Sequence, residues 1–303
     1  FFFKQKTAYE IVDCDWSSDV CSSDLAGTTD RPAGVEKMYV LYCGEGTAPD
    51  KSRWTPGVKE NEKKPITLSN SCYLIKHAQG WMLWETGYAE SLLGMMPKGF
   101  PTPVLHWVWK SPKTLTQQLA DIRVSPAQVN FVGFSHAHPD HIGNGSLFNN
   151  ATLYIQEAEY NFYIDPKGKP PQPPANWEKL RANPTVKLKG DTDVFGDGSV
   201  TILTSTGHTP GHQSLLVKLP NTGALLLTGD AVHFRDNWDT PRAPVQNFDK
   251  EESIKSVNKL RGIAAANKAQ VWINHDDAQT ATDRKSTRLN SSHSQQSRMP
   301  SSA

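Results

Sequence analysis

Four potential metal ligands stand within six residues of this chain: His136, His138, Asp140 and His141. Imidazole nitrogens and carboxylate oxygens are the ligands that zinc and similar divalent ions accept in proteins. The preceding segment, residues 129–134, is apolar and short, which predicts a buried strand. The four side chains would then lie on the loop that leaves a strand end, where functional groups are commonly carried. The alternative is a polar surface loop that is rich in histidine by chance.

Three further donors occur later in the chain, each where an apolar run ends. A single histidine or aspartate in such a position is more often a structural group than a ligand. Together with the first cluster, however, these residues bring the number of nitrogen and oxygen donors to seven. Seven donors suffice for two metal sites with room for water, as in two-metal hydrolases. The three later donors are His208, Asp230 and His275.

The composition is that of an ordinary water-soluble globular protein. Hydrophobic residues make up 37% of the chain, charged residues 21%, and the net charge is +1. This balance gives no sign of the basic surface that nucleic-acid binding requires. No stretch after residue 25 is long and apolar enough to span a bilayer. We therefore expect neither a nucleic acid nor a membrane as a partner.

Both ends of the chain differ from its body. Residues 1–25 and 283–303 resemble sequencing adaptors translated in frame, which suggests a metagenomic gene fragment. The alternative is a disordered N-terminal arm and a serine-rich tail. We expect one native domain at residues 26–282, with the native termini and any signal peptide lost. The source would be a soluble bacterial protein, either cytoplasmic or exported to the periplasm.

Within this domain, strand-like and helix-like segments follow one another, which predicts an α/β fold with sheets covered by helices. A helix near the end is predicted to begin after Asp249 as N-cap. Its apolar face is predicted to contain Ile254, Val257, Leu260 and Ile263. Predicted helices lie at 114–122, 157–163 and 251–267, and predicted strands at 38–42, 71–76, 81–87, 129–134, 151–155, 200–204, 214–218, 224–228 and 271–274.

The order of these motifs resembles the metallo-β-lactamase superfamily. The relevant motifs are His-x-His-x-Asp-His at 136–141, Gly-His-Thr-Pro-Gly-His at 207–212, Gly-Asp at 229–230, and the final His275. Within the superfamily the chain is most similar to the N-acyl-homoserine lactonases, which are quorum-quenching enzymes, over nearly all of residues 26–282. The resemblance implies an αββα sandwich, in which two sheets are flanked by helices.

The resemblance also implies two bound zinc ions, although other divalent transition metals suit the same donors. His212, the second histidine of the 207–212 motif, is expected to hydrogen-bond near the ions rather than bind one. One ion would be held by His136, His138 and His208, and the other by Asp140, His141 and His275, with Asp230 bridging the two.

The reaction implied by the resemblance is the opening of a lactone ring by a hydroxide held between the ions. Metal binding lowers the pKa of water from about 15.7 toward ~7, so the nucleophile exists at neutral pH. Asp140 would pass a proton to the leaving oxygen, and His233 would help to stabilise the oxyanion. His233 stands where many of these lactonases carry tyrosine, and Glu85 stands where the superfamily often has aspartate.

Other functions fit the same ligands. A hydrolase of this fold could act on another ester, a phosphoester or a β-lactam, and a non-catalytic, metal-stabilised binding module is the alternative outside enzymes. The expected partner is a small-molecule lactone or ester. An assay with lactone, β-lactam and phosphodiester substrates would distinguish these possibilities.

Two further features leave alternatives open. The apolar segment at 92–109 is either a mobile lid over an acyl chain, or a homodimer contact, or ordinary core packing. Cys43 and Cys72 are the cysteines that remain when residues 1–25 are set aside. We favour free buried thiols, and the alternative is one disulfide in an exported protein.

Overall fold

Two β-sheets form the framework of the protein. The computed structural model describes residues 8–12, 34–92, 100–101, 106–108, 113–165, 167 and 177–280. The predicted domain limits at 25/26 and 282/283, and much of the apolar segment 92–109, lie outside the described residues. Among the described residues, none of the helices is long and apolar enough to cross a membrane.

The first sheet is mixed. Its strands are β1 (Ala8–Val12), β2 (Val35–Ala48), β3 (Ile66–His77), β4 (Gly80–Trp84), β5 (Phe100–Pro101), β6 (His106–Val108), β7 (Val129–Gly133), β8 (Thr152–Gln156) and β9 (Thr185–Leu188). They lie in the order β5-β6-β2-β3-β4-β7-β8-β9, and β1 also pairs with β2. The pairs up to β4 are antiparallel, whereas β4, β7, β8 and β9 run parallel. The carboxyl ends of these parallel strands therefore meet at one edge.

The second sheet contains the later ligand-bearing strands. They are β10 (Thr192–Asp193), β11 (Val200–Thr204), β12 (Gln213–Leu219), β13 (Gly223–Leu227) and β14 (Gln270–Trp272), which lie in chain order across the sheet. The first four are antiparallel, and β14 runs parallel to β13. The carboxyl ends of β13 and β14 are thus neighbours, which brings the residues that follow them together.

Six α-helical segments complete the described part. They are α1 (Leu115–Asp121), α2 (Pro139–Ile142), α3 (Glu157–Glu159), α4 (Trp177–Leu180), α5 (Arg235–Asp239) and α6 (Lys250–Asn267). A π-helical turn at Tyr160–Ile164 continues α3. Thr114 and Gln117 form a reciprocal capping box at the start of α1. The predicted N-cap of α6 is confirmed, since the Asp249 side chain accepts a hydrogen bond from the Glu252 backbone N–H.

The alternation of side chains along the strands creates separate cores. Met38 of β2 enters the core between the two sheets, where Ile202 of β11 also lies. Leu41 of the same strand faces the opposite way and packs in a cluster with Leu119 of α1. Because β2 is covered on both faces, it carries buried apolar side chains on both. Burying each such leucine or methionine stabilises the fold by about 1.5–3 kcal/mol.

A third core lies beneath α6. Leu216 of β12 and Leu226 of β13 point away from the first sheet and pack with Val257 and Leu260 of α6. The layers are therefore helix, sheet, sheet and helix, which confirms the predicted αββα sandwich. One detail of the prediction is wrong: Ile254 is 38% exposed. Steps of three residues drift around a helix of 3.6 residues per turn, so the buried face follows Ser253, Ser256, Val257, Leu260 and Ala264 instead.

The expectation of free thiols is also wrong, because Cys43 and Cys72 form a disulfide between β2 and β3. The pairing register of these strands shifts between Tyr42 and Gly44, so Cys43 sits at an irregularity. Cys43 lies two residues after Leu41, the register partner of Cys72, and the Cα atoms of the two cysteines are 6.0 Å apart. A one-residue irregularity of this kind cannot be read from the spacing of two cysteines.

Candidate metal centre

The loop after β7 carries the first ligands. His136 and His138 lie in the bend that follows the strand, His138 has extended backbone, and Pro139 then begins α2. Proline suits the first helical position because its missing N–H has no partner there in any helix. The short helix places Asp140 and His141 in its single turn, directed at the same region as the two preceding histidines. A single helical turn of the chain therefore brings the four donors together.

Three imidazole nitrogens converge in one half of the site. His138 Nδ1 lies 2.8 Å from His136 Nε2 and 3.2 Å from His208 Nε2. His136 and His208 are almost fully buried. The 207–212 loop supplies His208 after β11, so two loops from different sheets meet here. We call His136, His138 and His208 the first half of the centre.

The second half contains Asp140, His141 and His275. Asp140 Oδ2 lies 3.5 Å from His141 Nε2 and 3.6 Å from His275 Nε2. The three atoms belong to one group of potential ligands whose members lie within 4.8 Å of one another. His275 follows β14 and reaches α2 across the junction of the sheets. This is the grouping that the family resemblance implies for the second ion.

Asp230 lies between the halves and divides its oxygens between them. Oδ1 is 3.0 Å from His275 Nε2 and 3.3 Å from His141 Nε2. Oδ2 is 3.4 Å from His208 Nε2 and 3.8 Å from His136 Nε2. Each oxygen therefore faces one half, as a bridging carboxylate requires.

A tight turn delivers Asp230 to this position. Gly229 has a φ of 52°, and a Cβ atom there would lie 2.4 Å from the Cβ of Ser135. A side chain at this position would be strained and would also collide with the ligand loop. Glycine thus allows the chain leaving β13 to pass directly beside the chain leaving β7.

The donor atoms suit divalent metal ions. Two of them, His141 Nε2 and Asp230 Oδ1, are buried and make no hydrogen bond. A buried polar atom without a partner costs about 1–3 kcal/mol, and a cation between these atoms would remove that cost. Five imidazoles and two carboxylates form the nitrogen and oxygen set that zinc accepts. The residues present therefore fit two zinc ions.

Each ligand imidazole is also held through its other nitrogen, which orients the ring toward the centre. His208 Nδ1 lies 2.9 Å from the Asn247 side-chain oxygen, and His275 Nδ1 lies 2.8 Å from the Ser69 carbonyl. The remaining contacts are His141 Nδ1 with Glu85 Oε2 at 3.0 Å, His136 Nδ1 with Ser135 Oγ at 3.0 Å, and His138 Nε2 with the Tyr163 hydroxyl at 3.4 Å.

The predicted hydrogen-bonding role of His212 is confirmed. Its Nε2 accepts a hydrogen bond of 3.0 Å from the Asp230 backbone N–H. Its Nδ1 lies 2.8 Å from the Ser205 hydroxyl. Burial is the main cause that lowers the pKa of His212 to about 3, so the ring is a neutral acceptor at pH 7. His212 thus holds the main chain of Asp230.

His233 lies directly beside the candidate ligands. Its Nε2 is 3.0 Å from Asp230 Oδ2, and it forms a potential ligand group with His208 and Asp230. Its Nδ1 is buried without a hydrogen-bond partner. The predicted contact of His233 with a substrate carbonyl stays a prediction.

Several supporting residues were not found from the sequence. Asn247, Ser69 and Tyr163 contact ligands from distant parts of the chain, and no motif marks them. The sequence marks Glu85 only as a departure from the superfamily pattern. It accepts a hydrogen bond from the Ser135 backbone N–H besides contacting His141. The signal that could have found it is its place at the end of β4, beside the end of β7.

Comparison with known proteins identifies the class to which this fold and site belong. Residues 66–266 match the family model described as the metallo-beta-lactamase superfamily. The chain belongs to this superfamily and is a hydrolase of it.

More particular similarities lie within that class. The N-acyl homoserine lactonase AttM of Azorhizobium caulinodans is 33% identical over 216 residues, which are 67% of this chain and 80% of AttM. An N-acyl homoserine lactonase of Bacillus cereus is 28% identical over 255 residues, 80% of this chain and 94% of that protein. A solved N-acyl homoserine lactone hydrolase, with N-hexanoyl-L-homoserine at its catalytic metal centre, superimposes with a TM-score of 0.69. Its sequence is 25% identical, over 82% of this chain and 96% of that one.

Proposed function

We propose that this protein is a dinuclear zinc lactonase that opens the ring of N-acyl-homoserine lactones. The observation that carries the proposal is the division of the Asp230 oxygens between two groups of ligands. A site built for one ion has no use for a carboxylate placed in this way. The lactone is suggested by the relatives named above, because fold alone does not define a substrate.

The ligand residues are assigned by their positions in the two halves. Zinc ions bound there would lower the pKa of a water molecule toward ~7 and thereby supply a hydroxide nucleophile at neutral pH. The first ion would be held by His136, His138 and His208, the second by Asp140, His141 and His275, and both by Asp230.

Asp140 is the residue that we propose to move a proton. Its side chain is 13% exposed, compared with 6% for Asp230. Asp140 is therefore the more solvent-accessible of the two carboxylates. Its carboxylate can take a proton and return it to the leaving ring oxygen. His233 would orient the lactone carbonyl from the side of the first half, against Asp230 Oδ2.

An apolar surface beside the first half suits an acyl chain. Phe248 is 64% exposed, and its ring lies 5.6 Å from that of Phe162. The Phe248 backbone N–H donates a hydrogen bond of 3.2 Å to the His208 carbonyl. The backbone hydrogen bond thus holds Phe248 beside the loop that carries His208. Acyl contact at this surface would favour acylated lactones over small polar esters.

The test uses the full chain freed of metal and reloaded with zinc. Substrates would be N-hexanoyl- and N-decanoyl-homoserine lactone, an aryl ester, a β-lactam and a phosphodiester, with the products identified by mass spectrometry. We expect ring opening of the lactones to be preferred. Efficient cleavage of another substrate without lactone opening would leave a hydrolase of different specificity. Zinc binding without any turnover would instead favour a binding module.

The disulfide supports export to the periplasm rather than a cytoplasmic location. Disulfides persist in oxidising compartments and are rare in the cytosol. The protein would be expressed once in the cytoplasm and once with export to the periplasm, and the thiols of each denatured sample would then be labelled. We expect Cys43 and Cys72 to resist labelling only in exported protein. A homodimer remains a prediction, to be measured by light scattering in solution.

A further inference from the structure

One buried carboxylate holds both ligand loops of the first half. Glu159 at the end of α3 is 1% exposed. Its Oε1 accepts a hydrogen bond of 2.8 Å from the Ala137 backbone N–H. Its Oε2 accepts bonds of 2.8 Å from the Thr209 hydroxyl and 2.9 Å from the Gly211 backbone N–H. Within the part of the chain that the structure describes, the Glu159 carboxylate therefore hydrogen-bonds to three residues, none of them a candidate ligand.

Two of those three residues are sequence neighbours of candidate ligands, and the third, Gly211, lies in the same loop as His208. Ala137 lies between His136 and His138, and Thr209 follows His208. A single carboxylate thus joins the loops that carry all three nitrogens of the first half. In the second half, by contrast, the carboxylate of Glu85 contacts the ligand His141 directly.

Close packing shows that the contact is built into the fold. A Cβ atom on Gly211 would lie 2.2 Å from the backbone nitrogen of Glu159. The 207–212 loop therefore rests on α3, and a larger residue would push it away. The absence of a side chain at Gly211 lets the loop come within hydrogen-bonding reach of Glu159.

We propose that Glu159 is the positioning residue of the first metal ion and has little influence on the second. This inference rests on the proposed two-ion site but does not depend on the substrate. The distance between His138 Nδ1 and His208 Nε2 depends on how the two loops are held together. Hydrogen-bonding partners of metal sites contribute ~10–100-fold to metal affinity, and the effect here should be confined to one ion.

The test is Glu159→Gln, which keeps the shape of the side chain. An amide offers one oxygen and one NH2 group, so the NH2 end must face an N–H donor of Ala137 or Gly211. Metal-free protein would be titrated with zinc against a chromophoric chelator. We expect the affinity for one ion to fall ~10–100-fold while the other affinity changes little.

Ligand variants identify which ion is weakened. His208→Ala removes a donor from the first half only, and His275→Ala removes one from the second half only. Glu159→Gln should reproduce the binding pattern of His208→Ala in weaker form. Thr209→Val, which removes one of the three hydrogen bonds, should lie between Glu159→Gln and the unsubstituted protein.

Glu157→Gln is the matched control. Glu157 lies in the same short helix, but its side chain is 40% exposed and faces Lys189 at 3.2 Å. Both zinc affinities should be unchanged in this variant. A zinc change equal to that of Glu159→Gln would overturn the proposal.

Other outcomes are equally decisive. Unchanged zinc affinities in Glu159→Gln, or equal weakening of both ions, would show that Glu159 serves the fold alone and would overturn the proposal. If Glu159→Gln fails to fold, Thr209→Val decides by the same criteria. Failure of the lactone assay would contradict the proposed substrate but would leave this zinc measurement unaffected.

Discussion

The two halves of the candidate metal centre differ in the charge of the groups that form them. The first half consists of imidazoles, and burial is the main cause that lowers the pKa of His136 and His208 well below the usual value. In the second half burial acts in the same direction, yet the pKa of His141 and His275 is raised. Glu85, Asp140 and Asp230 outweigh burial at His141, and the carboxylates of Asp230 and Asp140 do so at His275.

This difference means that the two halves would bind cations in different ways. The first half presents neutral nitrogens, so a metal ion there does not have to displace protons at neutral pH. The second half carries concentrated negative charge, which a divalent ion compensates. Asp230 belongs to both halves, and burial opposes its ionisation while His275, His233 and His141 hold its pKa well below the usual value.

The supports differ in the same way. In the first half, main-chain hydrogen bonds to Glu159 join the ligand loops. In the second half, the Asn70 side chain donates a hydrogen bond of 2.7 Å to the Asp140 backbone carbonyl. It also accepts a hydrogen bond of 3.2 Å from the side chain of Asn274, the residue before His275. Neutral amides thus join the loops of the charged half, whereas a carboxylate joins the loops of the neutral half.

The largest effect is expected where the halves meet. Asp230→Ala should remove a ligand from both ions and reduce hydrolysis by much more than the ~10–100-fold expected for a supporting residue. His212→Ala, which removes the acceptor of the Asp230 backbone N–H, is the comparison and should show that smaller loss. Activity and zinc content would be measured together. Comparable losses in the two variants would mean that the bridging role is wrongly assigned.

Glu85→Gln should weaken the second half selectively. The variant removes negative charge beside His141 and one of its orienting acceptors, so we expect the affinity for one zinc ion to fall by ~10–100-fold. Chelator competition would measure both affinities, with Glu62→Gln on the exposed surface as the control. A loss confined to the ion that His208→Ala weakens would reverse our assignment of the halves.

His233→Ala tests whether this residue serves the substrate or the ions. A donor to the oxyanion should contribute ~10-fold or more to lactone turnover. If the residue serves the substrate, zinc content should stay at two ions per chain while kcat falls. Loss of one ion from the variant would instead make His233 a ligand of the first half, together with His208 and Asp230.

The smallest effect is expected from deletion of residues 1–25. Within that segment β1 pairs with β2, for example Ala8 with Leu41. β2 also pairs with β3 along its length, and its buried side chains pack with those of other strands and of α1. Thermal melts and both zinc affinities should therefore remain close to those of the full chain. Unfolding of the shortened protein would contradict the adaptor interpretation.

The sequence by itself determined the candidate ligands and the alternation of strands and helices. His136, His138, Asp140 and His141 occupy one loop, and the later donors follow apolar runs that were recognisable as strands. Such signals are local, because alternation and strand length depend on neighbouring residues. The predicted grouping of ligands came from the resemblance, and the distances around Asp230 agree with it.

Only the tertiary structure decided which residues support the ligands. Ser69 and Asn274, for instance, are joined by a hydrogen bond although they lie 205 positions apart in the chain. Glu159 hydrogen-bonds to two loops from different sheets, and the disulfide joins residues of two paired strands. Contacts of this kind follow from how the sheets pack, and no repeating pattern in the sequence encodes them.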